Sequence, residues 1–149
     1  MNLTKYWPEA VTAATHSKDP RTQVGAAIVD HRGVVRATGW NGFPRGVNDD
    51  PARYADREIK LKLVVHAEAN AIANAAAVGV PLEGCGLIVT KFPCHECAKL
   101  IIQSGIKKVV APSPDSDGLW AGSAVIGCQM FEEAGVEIEY LEKKNAPST

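Results

Sequence analysis

The second half of the chain alternates short apolar runs with segments of helix length, and this alternation most constrains its fold. Residues 85–90, 107–111 and 136–141 are rich in β-branched and other apolar side chains, as expected of buried strands. Between them lie predicted helices over 94–104 and 121–134, each followed by a glycine that stops it. Alternating strands and helices predict βα units that build one sheet.

The first half adds a hairpin and further helices to this pattern. A helical period runs from Leu3 to His16, and Pro20 disfavours a continuation because it restricts the residue before it. Residues 24–29 and 34–40 flank a short turn and predict an antiparallel hairpin. Residues 41–51 are irregular, 54–65 are partly helical, and 66–78 form an alanine-rich helix. We therefore predict an α/β fold, a three-layer α/β/α sandwich with a central mixed five-stranded sheet.

Length and composition limit the number of domains and the classes of partner. The 149 residues fit a single domain, 1–149, with 142–149 as a flexible polar tail. A formal net charge of -1 provides no basic field for nucleic acid, and no apolar run is long enough to cross a membrane. The start of the chain lacks the apolar segment of a signal peptide, so we expect a cytoplasmic location.

Two of the four cysteines require a chemical explanation. Cys94 and Cys97 open a predicted helix after Pro93 and, three residues apart, share one helical face. A helix N-terminus lowers the pKa of a thiol, and the thiolate is the form that binds zinc. Cys85 and Cys128 lie in apolar surroundings and are expected to be core residues. Taken alone, the CxxC pair fits a redox dithiol as well as a zinc site.

His66 and Glu68 help to distinguish between these alternatives, because they open another predicted helix. His66 with Cys94 and Cys97 makes three zinc ligands and leaves the fourth tetrahedral position open for water, the catalytic rather than structural pattern. Glu68 is then free to act as a base. His66 should lie at the irregular start of its helix, and His95, between the two thiols, should diverge from their face.

The residues of these two segments resemble a known family. His66-Ala67-Glu68 and Pro93-Cys94-His95-Glu96-Cys97 match the H-x-E…P-C-x-x-C signature of the zinc-dependent nucleobase deaminases. Together with Ser17-Lys18-Asp19-Pro20 and Gly39-Trp40-Asn41-Gly42, they look like the deoxycytidylate (dCMP) deaminase family. The resemblance implies a cytidine-deaminase-like version of the predicted fold, a Zn²⁺ cofactor and a homo-oligomer. The implied activity is hydrolytic deamination of a pyrimidine nucleotide, dCMP to dUMP plus ammonia.

The resemblance also suggests which residues act on the substrate. Glu68 would take a proton from water, pass it to N3 of the cytosine ring and then protonate the departing amine. An Asn at the place of Asn41 contacts the sugar in this superfamily. Further substrate-binding candidates are Trp40, Ala67, Trp120 and Arg45. The candidates for a phosphate contact are Lys18, Arg45, Arg53 and Arg57.

Departures from the family pattern keep other substrates open. Trp40 stands where Tyr is common, Ala69 where a larger apolar residue is usual, and residues 112–120 look unlike the best-known members. The alternatives are a deaminase of another amino-heterocycle, a tRNA adenosine deaminase, a non-catalytic zinc scaffold and a redox CxxC protein. The scaffold would not need Glu68, and the near-neutral charge disfavours an RNA substrate.

Overall fold

The computed structural model describes residues 1–141 and contains a mixed five-stranded sheet. The strands are β1 (Gly25–Val29), β2 (Val35–Trp40), β3 (Gly86–Val89), β4 (Lys108–Pro112) and β5 (Glu137–Leu141). The helices are α1 (Trp7–Ala14), α2 (Pro51–Ala55), α3 (Arg57–Leu63), α4 (Ala67–Ala77), α5 (His95–Gln103) and α6 (Ala121–Ala134). The strand order is β2-β1-β3-β4-β5. Strand β1 pairs antiparallel with β2 and β3, whereas β3, β4 and β5 run parallel.

Two hydrophobic clusters attach helices to the two faces of this sheet. On one face, α1 buries Trp7 and Ala10 against the strands. On the other face, α4, α5 and α6 bury Ala71, Ile101 and Phe131, respectively. All residues of β1 and β3 are buried, as expected of central strands covered on both sides. The predicted three-layer α/β/α sandwich is confirmed.

The helical elements of the first half differ from the prediction in two places. The single helix predicted from Leu3 to His16 is a 3₁₀ turn over Leu3–Tyr6 followed by α1. Pro8 accounts for the break, because proline has no N–H to donate and is favoured in the first turn of a new helix. The segment predicted as partly helical consists of two short helices, α2 and α3.

Two predictions concern the ends of the chain and the membrane. The predicted polar tail, 142–149, lies outside the described residues, so it and the single domain 1–149 stay predictions. Within residues 1–141, no helix combines the length and the apolar character that a bilayer crossing requires.

Gly39 allows α4 to lie directly on the edge strand β2. A Cβ atom at this position would collide with the backbone of Ala67 and Ala71 in α4. The contact matters for the site because His66 is the N-terminal cap of the same helix. Two amides of α4 reinforce it: Asn70 donates to the Trp40 carbonyl at 2.7 Å, and Asn74 to the Thr38 carbonyl at 2.8 Å.

We expect Gly39→Ala to destabilise the protein by about 1–3 kcal/mol, because the backbone of α4 must shift to admit the methyl group. Thermal unfolding measures this as a Tm lower by several degrees. Gly122→Ala is the matched control, since a Cβ atom there meets nothing within 4 Å and alanine favours a helix. Equal Tm values for Gly39→Ala and the wild type would contradict the close contact.

Candidate active site

The side chains of His66, Cys94 and Cys97 converge where α4 and α5 begin. His66 is the N-cap of α4 and has extended backbone angles, φ -70° and ψ 158°. Cys94 is the N-cap of α5, also extended, and Cys97 lies in the first turn of that helix. His66 therefore occupies the irregular helix start that the sequence predicts. Two helix N-termini, each with a positive end of its dipole, point at one place.

The spacing of the three ligand atoms fits a zinc ion. His66 Nδ1 lies 3.4 Å from Cys94 Sγ and 3.6 Å from Cys97 Sγ. All three atoms lie within 4.8 Å of one another. With usual zinc–sulfur and zinc–nitrogen bond lengths, a tetrahedral site separates these two ligand types by about 3.6 Å. The donor set and its spacing thus suit zinc, and three protein ligands leave one position for water or substrate.

The surroundings of Cys94 favour the thiolate. The backbone N–H of Cys97 donates to Cys94 Sγ at 3.4 Å. Hydrogen bonds from the Cys97 thiol and from His66 outweigh burial and lower the pKa of the Cys94 thiol. The same hydrogen bond, together with burial, raises the pKa of the Cys97 thiol, so the fold favours one thiolate and zinc would have to displace the proton of the other.

Glu68 lies beside this triad and lines a cavity of about 300 Å³. Only 4% of the residue is exposed, and burial raises the pKa of its carboxyl to about 7. A carboxyl with a pKa near the working pH is suited both to accept and to donate a proton. The cavity volume is at the lower end of the range for small-molecule sites.

Three of the residues that the sequence suggests for substrate binding line this cavity: Asn41, Ala67 and Trp120. Asn41 Oδ1 accepts from the backbone N–H of Val24 at 2.9 Å, and its Nδ2 donates to the carbonyl of Thr22 at 2.8 Å. Asn41 is therefore fixed rigidly in the cavity wall. Its amide is already bonded within the chain, so a sugar hydroxyl would share these groups.

Trp40 and Arg45, the other two predicted substrate-binding residues, have different contacts. The Trp40 ring packs on His16, with ring centres 4.9 Å apart, in a separate groove. Arg45 donates to Asn74 Oδ1 at 2.6 Å, which holds it against α4. Neither side chain is among the residues that line the cavity.

The other predicted phosphate contacts also lie outside the cavity lining. Lys18 forms an ion pair with Asp49 at 2.7 Å, and Arg53 donates to the carbonyl of Asn48 at 3.1 Å. Arg57 is the first residue of α3. The structure gives these three residues no place in the cavity wall.

Two lysines that sequence reasoning missed line the cavity, Lys60 and Lys91. Lys60 Nζ lies 2.7 Å from Oδ2 of the buried Asp19. Although burial opposes ionisation of Asp19, hydrogen bonds from Lys60 and two backbone N–H groups lower its pKa. Nothing local in the sequence marks Lys60. Lys91 could have been found, because it stands shortly before the metal ligand Cys94 at the end of a predicted strand.

His95 turns away from the metal triad, as its place between the two thiols predicts. Its backbone N–H and its Nδ1 atom each lie 2.8 Å from Ser123 Oγ. The contact joins the start of α5 to the start of α6, where Trp120 enters the cavity wall. His95 thus ties the metal-binding turn to the helix that carries part of the pocket.

Comparison with known proteins agrees with this geometry. Residues 1–113 match the family described as "Cytidine and deoxycytidylate deaminase zinc-binding region". Human deoxycytidylate deaminase is 43% identical over 143 residues, which cover 87% of this chain and 76% of that protein. The "Uncharacterized deaminase in luxG 3'region" of Aliivibrio fischeri is 44% identical over 139 residues, covering 92% and 91%. The crystal structure of dCMP deaminase from the cyanophage S-TIM5, in complex with dCMP and dUMP, has a TM-score of 0.71 at 28% identity, covering 92% of this chain and 94% of that chain.

These findings confirm the predicted resemblance, the cytidine-deaminase-like fold and the zinc cofactor. The match covers the hairpin, both turns that carry the triad, and strands β3 and β4. A redox CxxC protein and a non-catalytic scaffold are therefore set aside. The chain is a member of the cytidine and deoxycytidylate deaminase family and an enzyme that hydrolyses C–N bonds with zinc as its cofactor.

Proposed function

We propose that this protein converts dCMP to dUMP and ammonia by hydrolysis. One observation supports this proposal most directly: the triad that fits zinc and the buried Glu68 meet at one cavity. The relatives named for deoxycytidylate, and the cyanophage structure that binds dCMP and dUMP, support this choice of substrate. Deamination of another amino-heterocycle is the alternative, and it would use the same chemistry.

Residues at the N-termini of α4 and α5 supply the metal site and the general base. His66, Cys94 and Cys97 would hold zinc, which when bound activates a water molecule. Glu68 accepts a proton from the attacking water and transfers it to N3 of the cytosine ring as the water oxygen bonds to C4. Glu68 then carries the proton of the new C4 hydroxyl to the amine. The C4–N bond breaks, ammonia leaves, and the oxygen becomes the uracil carbonyl.

The cavity walls hold the rest of the substrate. The Trp120 ring meets His66 edge-on, with ring centres 6.1 Å apart, and offers an apolar wall to a base beside the metal. Ala67, directly after His66, leaves room for the ring at the start of α4. Asn41, fixed by the backbone of residues 22 and 24, would position the sugar.

We expect kcat/KM for dCMP to exceed that for deoxycytidine by about 10- to 100-fold, because a charge-assisted contact to phosphate contributes about 1.5–3 kcal/mol. Ammonia release from dCMP, CMP, deoxycytidine, cytosine and adenosine, assayed side by side, measures this preference. Equal values for dCMP and deoxycytidine would contradict the dCMP assignment. Activity confined to a phosphate-free heterocycle would establish the alternative.

Two further parts of the sequence prediction belong to this proposal. A homo-oligomer is supported by exposed apolar residues at and before the first turns of α6, where Leu119, Val125 and Ile126 are 65%, 69% and 49% exposed. A second copy would bury such a surface. The cytoplasmic location remains a prediction from the sequence.

A further inference from the structure

Within residues 1–141, the charges around the cavity leave one cation without an acidic partner. The ionisable side chains in the wall, apart from the metal ligands, are Asp19, Lys60, Glu68, Lys91 and Asp115. Lys60 is 16% exposed and is already paired with Asp19. For Lys91, no carboxylate of residues 1–141 lies within ion-pair distance.

Lys91 is held next to the metal site by an aromatic ring. Its Nζ atom lies 5.9 Å from the centre of the Trp120 ring, close enough for a cation–π contact. The same ring meets His66 edge-on at 6.1 Å. Trp120 is therefore a neighbour both of the ammonium group and of a residue of the metal triad. Lys91 is exposed although it lines the cavity, so this residue lies where the cavity meets solvent.

We propose that Lys91 is the charge partner of the substrate's 5'-phosphate and so sets the preference for a nucleotide over a nucleoside. The inference rests on the proposed function and deepens it. When the cytosine ring of the substrate lies beside Glu68 and the Trp120 ring, its sugar and phosphate extend toward the mouth of the cavity, where Lys91 lies. Asp115 also lines the cavity, and its negative charge would repel a phosphate dianion. A cation is therefore needed there to offset Asp115.

Other cations are less suited to this role. Lys60 is largely buried and would have to share its ammonium group between Asp19 and the phosphate. Arg45, the candidate from the sequence, donates to Asn74 and does not line the cavity. The ring of Trp120 also restricts Lys91 before substrate arrives, which lowers the entropy lost on binding.

Kinetics of the zinc-loaded protein, residues 1–149, with dCMP and deoxycytidine test the proposal. Lys91→Met keeps the length and apolar stem but removes the charge, and we expect the dCMP-to-deoxycytidine ratio of kcat/KM to fall about 10- to 100-fold. Lys91→Arg should retain most of the ratio. Lys62→Met is the matched control, because Lys62 is exposed, pairs with Glu58 at 3.6 Å and does not line the cavity. Its ratio should equal that of the wild type.

Each possible outcome decides a separate point. A wild-type preference for dCMP that survives in Lys91→Met overturns the role of Lys91 and leaves the proposed function intact. If Arg45→Met loses the preference instead, the phosphate contact is Arg45. A wild-type enzyme that treats the two substrates alike overturns both proposals. A merely structural role of Lys91 would lower both rates together and leave the ratio unchanged, which also counts against the inference.

Discussion

Replacing Glu68 with glutamine is expected to lower kcat by a factor of about 10²–10⁴, the usual contribution of a positioned general acid–base. Glutamine preserves the shape of the side chain but cannot accept the proton of water or deliver it to N3 and the amine. Because Glu68 does not belong to the triad that fits zinc, zinc content and Tm should stay near those of the wild type. Ammonia release, metal analysis and thermal unfolding of the same preparation measure the three quantities.

Glu58→Gln is the matched control for this variant. Glu58 lies on α3 with its side chain 83% exposed and does not line the cavity. The same chemical change there should leave turnover intact. Near-normal turnover of Glu68→Gln would remove Glu68 from the mechanism. Loss of zinc in that variant would show that it has a structural role at the metal site.

Replacing Cys97 with serine is expected to reduce zinc from about one ion per chain to a small fraction, with loss of deamination. A serine hydroxyl is a poor substitute for a thiolate, and Cys97 is only 3% exposed, so no other ligand can easily take its place. Since zinc binds the folded state, Tm should fall as well. Metal analysis of protein purified without chelator gives the zinc content.

Chelation of the wild type tests the same site without a mutation. Cys94 and Cys97 should resist a thiol reagent while the metal is bound and react once it is removed, and added zinc should restore activity. Cys128→Ser is the control, because its sulfur lies near the Tyr140 hydroxyl rather than in the metal triad. An active, metal-free preparation would contradict zinc as the cofactor.

The strands and helices of the second half were predictable because their signals are local. Apolar runs of strand length and the glycines at helix ends place β3, α5, β4, α6 and β5 within one or two residues of their observed bounds. The first helix was predicted too long because the helical period hid the effect of Pro8 on its start. Residues 51–63 have mixed charged and apolar character, so their division into α2 and α3 was not predictable.

The positions of the substrate-facing residues depended on contacts between distant segments. Trp40 is the last residue of β2, and its ring packs on His16, which lies in a distant part of the sequence. Arg45 pairs with Asn74, 29 residues away. Lys60, on α3, lies at the cavity, where it pairs with Asp19 of the segment after α1. Composition and spacing carry no record of such pairings, so the lysines that line the cavity, Lys60 and Lys91, differ from the cations that the sequence suggested.

By itself, the sequence determined the chemical groups of this protein: residues that can bind zinc at two helix starts, with a carboxyl two residues after the histidine. Those features are local, since capping geometry and a three-residue spacing are set within one turn of helix. Only the tertiary structure decided that the two turns meet within bonding distance of one ion and which side chains wall the cavity. The physical reason is that a side chain's direction at a loop or strand end follows from what it packs against.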